Sequence, residues 1–565
     1  MLKRSLTAIV VSCLLSSGSA LLADPNAGAY LAGRHAIHEH DFEIGARYLT
    51  EGLLGDPTNP YLLDRAMTSY VALGQMDQAI SIAQAIVDQG FNSQVAHLVL
   101  QIADVKAENW DGIFQALEQG RTVSPLIDGV AQAWAHLGNG DMTKASGGFD
   151  RVIETEGMTV YGVTHKAYAL ASVGDFEGAE AMFASRIPGG MRYNRQSGIA
   201  HAQILSQLGR NDDAVAIMDG IFGAQLDPGL AQLRDRLMAG ESVAYNAVTT
   251  PEQGMAEIYH ITAGAIQSEA PSAYTLMYAR AANYLWPENT IATLMTAGLL
   301  EDLGQYDLSN AAYTSVPRDD PAFHAAELGR AEVLRSGGRI DAAIEVLDAL
   351  ARSHAELPQV FANQGDTLRQ AGRYDEAAKA YSRAIELYSD DDPAKWFVYY
   401  TRGICEHKTD NWPAAEADFR EALALQPDHP QILNYLGYSL VERGEKLDEA
   451  LGMLETAAAA RPDNGAIIDS LGWVLFQLGR YDEAVALLES AAELEPVDAV
   501  VNDHLGDVYW AVGREIEARF QWQRALSFDP QEADASRIRD KLDRGLDLVL
   551  LDEGVAPIRV ASGDH

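Results

Sequence analysis

Small and apolar side chains recur along this chain at helical spacing, in pairs of segments joined by a short turn that contains glycine. The segment DSLGWVLFQLGRYDEAVALLESAAELEP, residues 469–496, is followed by DHLGDVYWAVGREIEARFQWQRALSFDP, residues 503–530, and the matching Gly472 and Gly506 are 34 residues apart. Apolar residues three and four positions apart are typical of amphipathic helices, and no strand-like alternation persists along the chain. The pattern therefore predicts an all-α fold built from repeated helix pairs.

Within each repeat, a glycine on the first helix is followed twelve or thirteen residues later by an alanine on the second. Small side chains at both positions allow two antiparallel helices to approach closely. A further glycine at the turn suits a helix C-cap, and proline ends the second helix. One pair cannot bury its apolar face alone, whereas a stack of about three or more can. The five clearest copies place these structural residues at Gly365 and Ala377, Gly403 and Ala415, Gly437 and Ala450, Gly472 and Ala484, and Gly506 and Ala518.

This frame resembles the tetratricopeptide repeat (TPR), a helix–turn–helix unit of about 34 residues. The resemblance implies a right-handed α-solenoid of stacked repeats with a concave inner face. With weaker copies upstream, about twelve to thirteen helix pairs are expected. The expected organisation is a signal peptide at 1–23, a degenerate N-terminal TPR array at 24–225, a connecting helix and linker at 226–254, a C-terminal TPR array at 255–548 and a flexible tail at 549–565.

The charge of the chain limits its partners. Its 565 residues include 42 basic and 81 acidic side chains, which give a formal net charge of −39. Such a surface repels nucleic acid phosphates and anionic lipid headgroups, so nucleic acid is excluded as a partner and basic or neutral proteins are favoured.

The N-terminus MLKRSLTAIVVSCLLSSGSALLADPNA has the pattern of a secretory signal peptide, with Lys3 and Arg4 before an apolar run and small residues at the cleavage site. The sequence therefore predicts a periplasmic protein, and no later apolar run is long enough to span a membrane. Cys13 follows a stretch that only loosely resembles a lipobox. Lipidation is therefore not expected, although Cys13 leaves lipoprotein anchoring and peripheral outer-membrane association open.

Two features could carry chemistry. His35, His38, His40, Asp41 and Glu43 lie close together, but they lack the spacing of a known metal motif, and a polar turn explains them equally well. Cys405 could be a nucleophile, but a semi-buried structural thiol is the simpler interpretation. Phosphate-binding, serine-hydrolase and zinc motifs are absent from the sequence, so no cofactor, no metal and no catalytic residue is expected.

The TPR resemblance implies that the concave wall is formed by first-helix positions one turn apart. Exposed aromatic residues are typical of binding hot spots, and neighbouring carboxylates favour a basic or amide-rich peptide. The alternative is that some of these aromatic residues pack against neighbouring repeats. The predicted groove residues are Tyr400, Asn434, Tyr438, Asp469, Trp473, Phe476, Asp503, Asp507 and Trp510.

Several stretches carry a narrower resemblance. Toward the C-terminus they are LNYLGYSLVERGEKLDEALGMLETAAAARPDNGAIIDSLGWVLFQLGRYDEAVALLESA and DHLGDVYWAVGREIEARFQWQRAL, and in the middle of the chain PEQGMAEIYHITAGAI. They resemble the LbcA-like adaptor of the bacterial carboxyl-terminal processing protease. That resemblance implies a non-enzymatic adaptor that docks the protease and presents cell-wall hydrolases to it. That adaptor is an outer-membrane lipoprotein, whereas this chain lacks a convincing lipobox. The alternatives are a scaffold for envelope assembly or secretion, and a metal-dependent or thiol enzyme.

Overall fold

The computed structural model describes residues 25–187, 190–223 and 226–558. Within these ranges the chain forms 31 α-helices and no β-strand, so the predicted all-α fold is confirmed. None of the helices in the described ranges is long and apolar enough to cross a membrane. The predicted signal peptide and Cys13 lie outside the described residues.

The chain divides into two compact units, Met1–Val346 and Leu347–His565. The division falls within helix α19. The first unit contains α1 Pro25–His38, α2 Phe42–Gly55, α3 Pro60–Ala72, α4 Met76–Asp88, α5 Gln94–Lys106, α6 Trp110–Glu118, α7 Pro125–Gly138, α8 Met142–Glu154, α9 Thr159–Ser172, α10 Phe176–Phe183, α11 Arg195–Gln207, α12 Asn211–Phe222, α13 Pro228–Met238, α14 Pro251–Ile266, α15 Ser272–Leu285, α16 Thr290–Asp302, α17 Tyr306–Thr314, α18 Phe323–Ser336 and the start of α19 Ile340–Ser353.

The second unit continues the same alternation of first and second helices. It contains α20 Pro358–Gln370, α21 Tyr374–Leu387, α22 Lys395–Lys408, α23 Trp412–Leu425, α24 Pro430–Glu442, α25 Leu447–Ala460, α26 Gly465–Gln477, α27 Tyr481–Leu494, α28 Ala499–Ala511, α29 Glu515–Leu526, α30 Glu532–Arg544 and α31 Leu546–Asp552.

Consecutive helices form the pairs that the sequence predicts, with one exception. In the described residues, α1 to α12 make six pairs, α13 stands alone, and α14 to α31 make nine. The fifteen pairs exceed the expected twelve or thirteen. One reason for the difference is the terminal pair α30–α31. It has no repeat glycine, so the repeat pattern does not predict it as a helix pair.

Local sequence signals begin and end these helices. The Asn464 side chain accepts a hydrogen bond from the Ile467 amide at the start of α26, and Asp498 does the same for Val500 and Val501 at the start of α28. The turn after α26 contains Gly479 at φ +76°, a left-handed conformation that costs glycine little. Capping residues therefore fix where the helices of each repeat meet.

The repeat glycines lie where the two helices of a pair approach most closely. A Cβ at Gly365 would come within 2.5 Å of Tyr381, and one at Gly506 within 2.4 Å of Trp522. The glycines at 403, 437 and 472 face a side chain of their second helix at 2.8, 3.0 and 2.7 Å in the same way. The five repeat alanines are fully buried. A larger residue at either position would force the pair apart, which explains the spacing seen in the sequence.

The segment predicted to separate two arrays lies inside the first unit. Residues 226–254 form α13, an irregular stretch and the start of α14. The Gln203 side chain on α11 makes two hydrogen bonds to Asn246 of the irregular stretch. It donates to the Asn246 side-chain oxygen and accepts from the Asn246 backbone amide. At the C-terminus, α31 continues to Asp552, into the predicted tail of 549–565, and residues 559–565 lie outside the described residues.

Candidate protein-binding surface

The nine predicted groove residues lie on four successive first helices of the second unit, α22, α24, α26 and α28. The expectation that their aromatic side chains are exposed is wrong for three of them. Trp473 and Phe476 are 7% exposed and Trp510 is 9% exposed. These three rings pack against neighbouring helices, which is the alternative that the sequence left open.

Trp473 is buried because it lies in a ring stack between two first helices. Its indole lies parallel to Phe476 at 4.7 Å and to His504 of α28 at 3.9 Å. Its Nε1 donates a hydrogen bond of 2.9 Å to Glu442 of α24. The predicted groove residue Asp469 is also buried and lies 2.9 Å from His504 Nδ1.

Burial alone would lower the pKa of His504, but the Asp469 carboxylate outweighs burial and raises it. The His504 ring is thus hydrogen-bonded to Asp469 within the protein, between α26 and α28. Asp469 is therefore bonded to a residue of its own chain and is not free to bind a partner.

The two predicted carboxylates of α28 are paired with two cations of α30, Lys541 and Arg537. The Arg537 guanidinium lies 4.0 Å from Asp503 and 3.6 Å from Asp507. Lys541 of α30 is fully buried, and its Nζ lies 2.7 Å from both Asp503 and Asp507. Asp507 also accepts a hydrogen bond of 2.8 Å from Trp522 Nε1. A buried lysine is stable only when it is paired, so α30 and α28 are joined by these carboxylates. This pairing could not be predicted from the sequence, because α30 has the pattern of a polar helix without a repeat signature.

Trp510 is covered by the junction between α30 and α31. Its Nε1 donates a hydrogen bond of 2.9 Å to Asp547, and a Cβ at Gly545 would lie 2.6 Å from the indole. The last two helices thus cover the α28 end of the predicted groove. Six predicted groove residues on α26 and α28 are held by contacts within the chain: Asp469, Trp473, Phe476, Asp503, Asp507 and Trp510.

The other predicted residues remain in contact with solvent. Tyr400 on α22 and Asn434 and Tyr438 on α24 are half-buried. Phe397 is 43% exposed, the largest exposure of any aromatic residue on these first helices in the described chain. The sequence reading missed Phe397, although it lies three residues before Tyr400 and therefore on the same helix face. We call Phe397, Tyr400, Asn434 and Tyr438 the α22–α24 surface.

Ring contacts between the two first helices hold this surface in place. Tyr400 meets Tyr435 of α24 edge-to-face at 6.0 Å. His407 of α22 lies 3.3 Å from the Tyr435 hydroxyl. Burial, together with the carboxylates of Glu442 and Asp469, raises the pKa of Tyr438, so its hydroxyl stays uncharged at neutral pH. The α22–α24 surface is thus aromatic, neutral and fixed before any partner arrives.

In the first unit, the protein's own chain covers four of the first helices, α3, α5, α7 and α9. Helix α14 packs against α5, α7 and α9, and α15 packs against α3 and α5. The Tyr259 hydroxyl donates a hydrogen bond of 2.7 Å to Gln101, and Arg280 Nε donates one of 3.0 Å to the Ala72 carbonyl at the end of α3. The two helices therefore occupy the face that would otherwise bind a partner.

The two features that could carry chemistry have structural roles. His35 and His38 end α1, and the Asp41 side chain caps α2 by accepting from the Ile44 amide. Cys405 is fully buried, and burial raises its thiol pKa to about 12, far above that of a reactive cysteine. Among the described residues, no group of three or more His, Cys, Asp or Glu could hold a metal ion.

Comparison with known proteins identifies the repeat. Three tetratricopeptide repeat models match the chain, one at residues 294–359 and 400–465, one at 356–428 and one at 444–503. A TPR repeat-containing protein of Pseudomonas aeruginosa is 32% identical over 162 residues, which are 28% of this chain and 26% of the relative. Human tetratricopeptide repeat protein 13 is 25% identical over 190 residues, which are 33% of this chain and 21% of the relative.

The chain therefore spans only about a quarter of the length of these two relatives. Among solved structures, the APC/C hetero-tetramer Cut9–Hcn1 covers 93% of this chain and 97% of its own, at 15% identity and a TM-score of 0.37.

Paired helices stacked on repeat glycines define a helical repeat protein, a class in which each unit contacts mainly its neighbours. The matched repeats are tetratricopeptide repeats, and the chain is a TPR repeat protein with an α-solenoid fold. TPR repeats imply a scaffold for protein–protein interaction, and the fold is generally non-catalytic.

Proposed function

We propose that this protein is a periplasmic adaptor that docks a carboxyl-terminal processing protease and presents envelope proteins, such as peptidoglycan hydrolases, for degradation. The observation that carries its binding role is the α22–α24 surface. Aromatic side chains that are rigid and partly exposed are the side chains that most often dominate protein interfaces.

The choice of partner rests on charge and on the narrower resemblance. The net charge of −39 steers basic or neutral protein surfaces toward the chain and repels nucleic acid. The neutral α22–α24 surface within this acidic chain suits a partner with an apolar anchor ringed by basic residues. The protease and the hydrolases are proposed from the resemblance of residues 251–266, 433–491 and 503–526 to the adaptor family.

The periplasmic location rests on the signal-like pattern of residues 1–23. Loss of Lys3 and Arg4 with that segment changes the formal charge from −39 to −41. Export would bring the chain to the compartment in which envelope proteases and peptidoglycan hydrolases work. Mass spectrometry of the exported protein tests this location, since cleavage after residue 23 gives a defined mass and a lipid on Cys13 gives another.

Binding is tested with purified components. Residues 24–565 are immobilised, and the affinity for the purified protease is measured by surface plasmon resonance. Phe397→Ala is expected to weaken binding about tenfold or more, as the loss of a hot-spot residue does. Phe520→Ala is the matched control, because Phe520 is 61% exposed on the second helix α29, away from the α22–α24 surface. If both substitutions weaken binding equally, or if neither weakens it, the assignment of the surface is refuted.

Adaptor activity is tested in a second assay. The protease is incubated with a peptidoglycan hydrolase with and without residues 24–565, and loss of the hydrolase is followed by gel electrophoresis. Faster degradation in the presence of the chain is expected, and Phe397→Ala should reduce that gain. Protease binding without faster degradation would instead favour a scaffold for envelope assembly. No binding at all would contradict the adaptor proposal.

A further inference from the structure

A cavity of about 750 Å³ lies in the first unit, between α9, the segment before α11, α14 and α16. Its volume falls in the range of about 300–1,000 Å³ that small-molecule sites occupy. Most of its wall is apolar, and the apolar side chains that form it include Val160, Tyr161, Ile187, Ile261, Ala265 and Met295. The cavity lies far in sequence from the α22–α24 surface and has no part in the proposed adaptor function.

A chain of hydrogen bonds fixes the direction of one polar group in its wall. Tyr193 lines the cavity, and its hydroxyl lies 2.9 Å from His201 Nδ1. The other ring nitrogen of His201, Nε2, lies 2.7 Å from a carboxylate oxygen of Glu180. Phe183 stacks on the His201 ring at 4.6 Å and holds it in this orientation.

This arrangement decides which atom carries each hydrogen. Burial lowers the pKa of His201, although Glu180 opposes the shift, so the ring is neutral at neutral pH. The Glu180 carboxylate can only accept, so Nε2 carries the ring hydrogen and Nδ1 presents a lone pair. Tyr193 must then donate to Nδ1. Burial raises the pKa of Tyr193 to about 12, so the hydroxyl keeps its hydrogen, and any further bond to its oxygen must come from a donor.

Two other hydroxyls in the wall also offer only oxygen lone pairs. Thr164 donates its hydrogen to the Val160 carbonyl at 2.8 Å, and Ser197 donates to the Asn194 carbonyl at 3.1 Å. The Asn194 side-chain amide donates to Glu257 at 2.9 Å. The hydrogens of the Tyr193 and Thr164 hydroxyls are thus used within the protein, and their oxygens can accept hydrogen bonds that a guest donates.

We propose that this cavity binds an uncharged, mainly apolar small molecule that donates one hydrogen bond, of the class of aryl amines and phenols. The apolar wall removes the body of the molecule from water, which supplies most of the binding free energy. The Tyr193 oxygen accepts the single hydrogen bond and sets the orientation of the guest.

The probe is N-phenyl-1-naphthylamine, an uncharged aromatic molecule with one N–H donor, whose fluorescence rises in apolar surroundings. Titration of residues 24–565 should give a saturable rise with one site per chain. Gly264→Leu fills the cavity: a Cβ at Gly264 meets only Met295 Cε, at an ordinary 3.6 Å, so the added side chain has room to extend along the wall. Affinity should fall at least tenfold.

Gly452→Leu is the matched control, because it makes the same change in helix α25, where a Cβ meets nothing within 4 Å. It should leave the affinity unchanged. Tyr193→Phe keeps the ring but removes the hydroxyl that accepts from the guest and donates to His201, and it should lower affinity about fivefold, the usual effect of one neutral hydrogen bond. Absence of saturable binding, or equal affinity in Gly264→Leu, would overturn the site. Equal affinity in Tyr193→Phe would overturn the requirement for a donor.

Discussion

Replacing Glu257 by glutamine should make the first unit more stable at pH 8 and have little effect at pH 4.5. The Glu257 side chain is fully buried on α14. One carboxyl oxygen accepts a hydrogen bond of 2.9 Å from Asn194, and the other has no partner among the described residues. Burial raises the pKa of Glu257 to about 7, from an ordinary 4.5. Ionisation of this carboxyl is therefore much harder in the folded protein than in the unfolded chain.

The magnitude follows from the two pKa values. Below pH 4.5 the carboxyl is protonated in both states, and it costs no stability. Between pH 4.5 and 7 the unfolded chain releases a proton that the folded protein retains, so the free energy of unfolding falls as pH rises. Above pH 7 the cost is constant at about 3 kcal/mol, since each pKa unit corresponds to about 1.4 kcal/mol. Glutamine keeps the acceptor for Asn194 without the charge, so Glu257→Gln recovers this free energy.

Hydrogen–deuterium exchange of peptides from α14 measures the effect locally. The variant and the unmodified chain are compared at the same pH, so intrinsic exchange rates cancel. At pH 8 the amides of α14 should exchange roughly 100-fold more slowly in the variant. At pH 4.5 the free energy of opening should differ by less than about 1 kcal/mol between the variant and the unmodified chain. Glu252→Gln is the control. Glu252 lies on α14, as Glu257 does, but it forms only a partly exposed ion pair with Lys106 of α5. An equal difference at both pH values would refute the reasoning.

Three further predictions test the packing. Lys541→Met should lower the free energy of unfolding by about 3 kcal/mol in urea denaturation, because it leaves the buried Asp507 and the partly buried Asp503 with only the more distant Arg537 as a cationic partner; a loss below 1 kcal/mol would show that Arg537 replaces the lysine. Gly254→Ala should cost about 1–3 kcal/mol, since its Cβ would lie 2.2 Å from Trp134, whereas Gly264→Ala should cost less than 1 kcal/mol. Cys405 should resist Ellman's reagent at pH 8 in the folded chain and react once urea unfolds it, because burial raises its pKa to about 12.

The repeat architecture could be predicted from the sequence because its determinants are local. A glycine and the side chain that packs against it are about sixteen residues apart, as Gly403 and Phe419 are, and this spacing recurs along the chain. Each pair of helices therefore leaves the same mark in the sequence. Residues that start and end helices add to the signal, since they also act within a few positions.

Contacts between segments that are far apart in the sequence produce no recurring sequence pattern. Arg280 donates to the Ala72 carbonyl across 208 positions, and Tyr259 donates to Gln101 across 158. Both contacts belong to α14 and α15, which cover the first helices of the preceding repeats. A repeat frame describes neighbours only, so it cannot show that a later pair folds back onto an earlier one.

The same limitation explains the error over the predicted groove. The pattern of repeat positions correctly assigns Trp473, Asp503 and Trp510 to first helices. It cannot show which other residues cover them. Trp473 is covered by Phe476 and His504. The exposure of Asp503 and Trp510 depends on α30 and α31, which carry no repeat signature, and Lys541 reads as an ordinary surface lysine. Only its position between two carboxylates makes it part of the core.

This covering changes the chemistry that a partner must have. If the carboxylates of α28 were exposed, the groove would select a basic peptide by direct ion pairs. Because Lys541 and Arg537 already pair with them, a basic partner gains no close ion pair at that end of the array. It is attracted only by the diffuse charge of the whole chain, which affects the rate of association more than its strength. Close contact then depends on Phe397, Tyr400 and Tyr438, so the affinity of a partner should be sensitive to its apolar anchor and its association rate to salt.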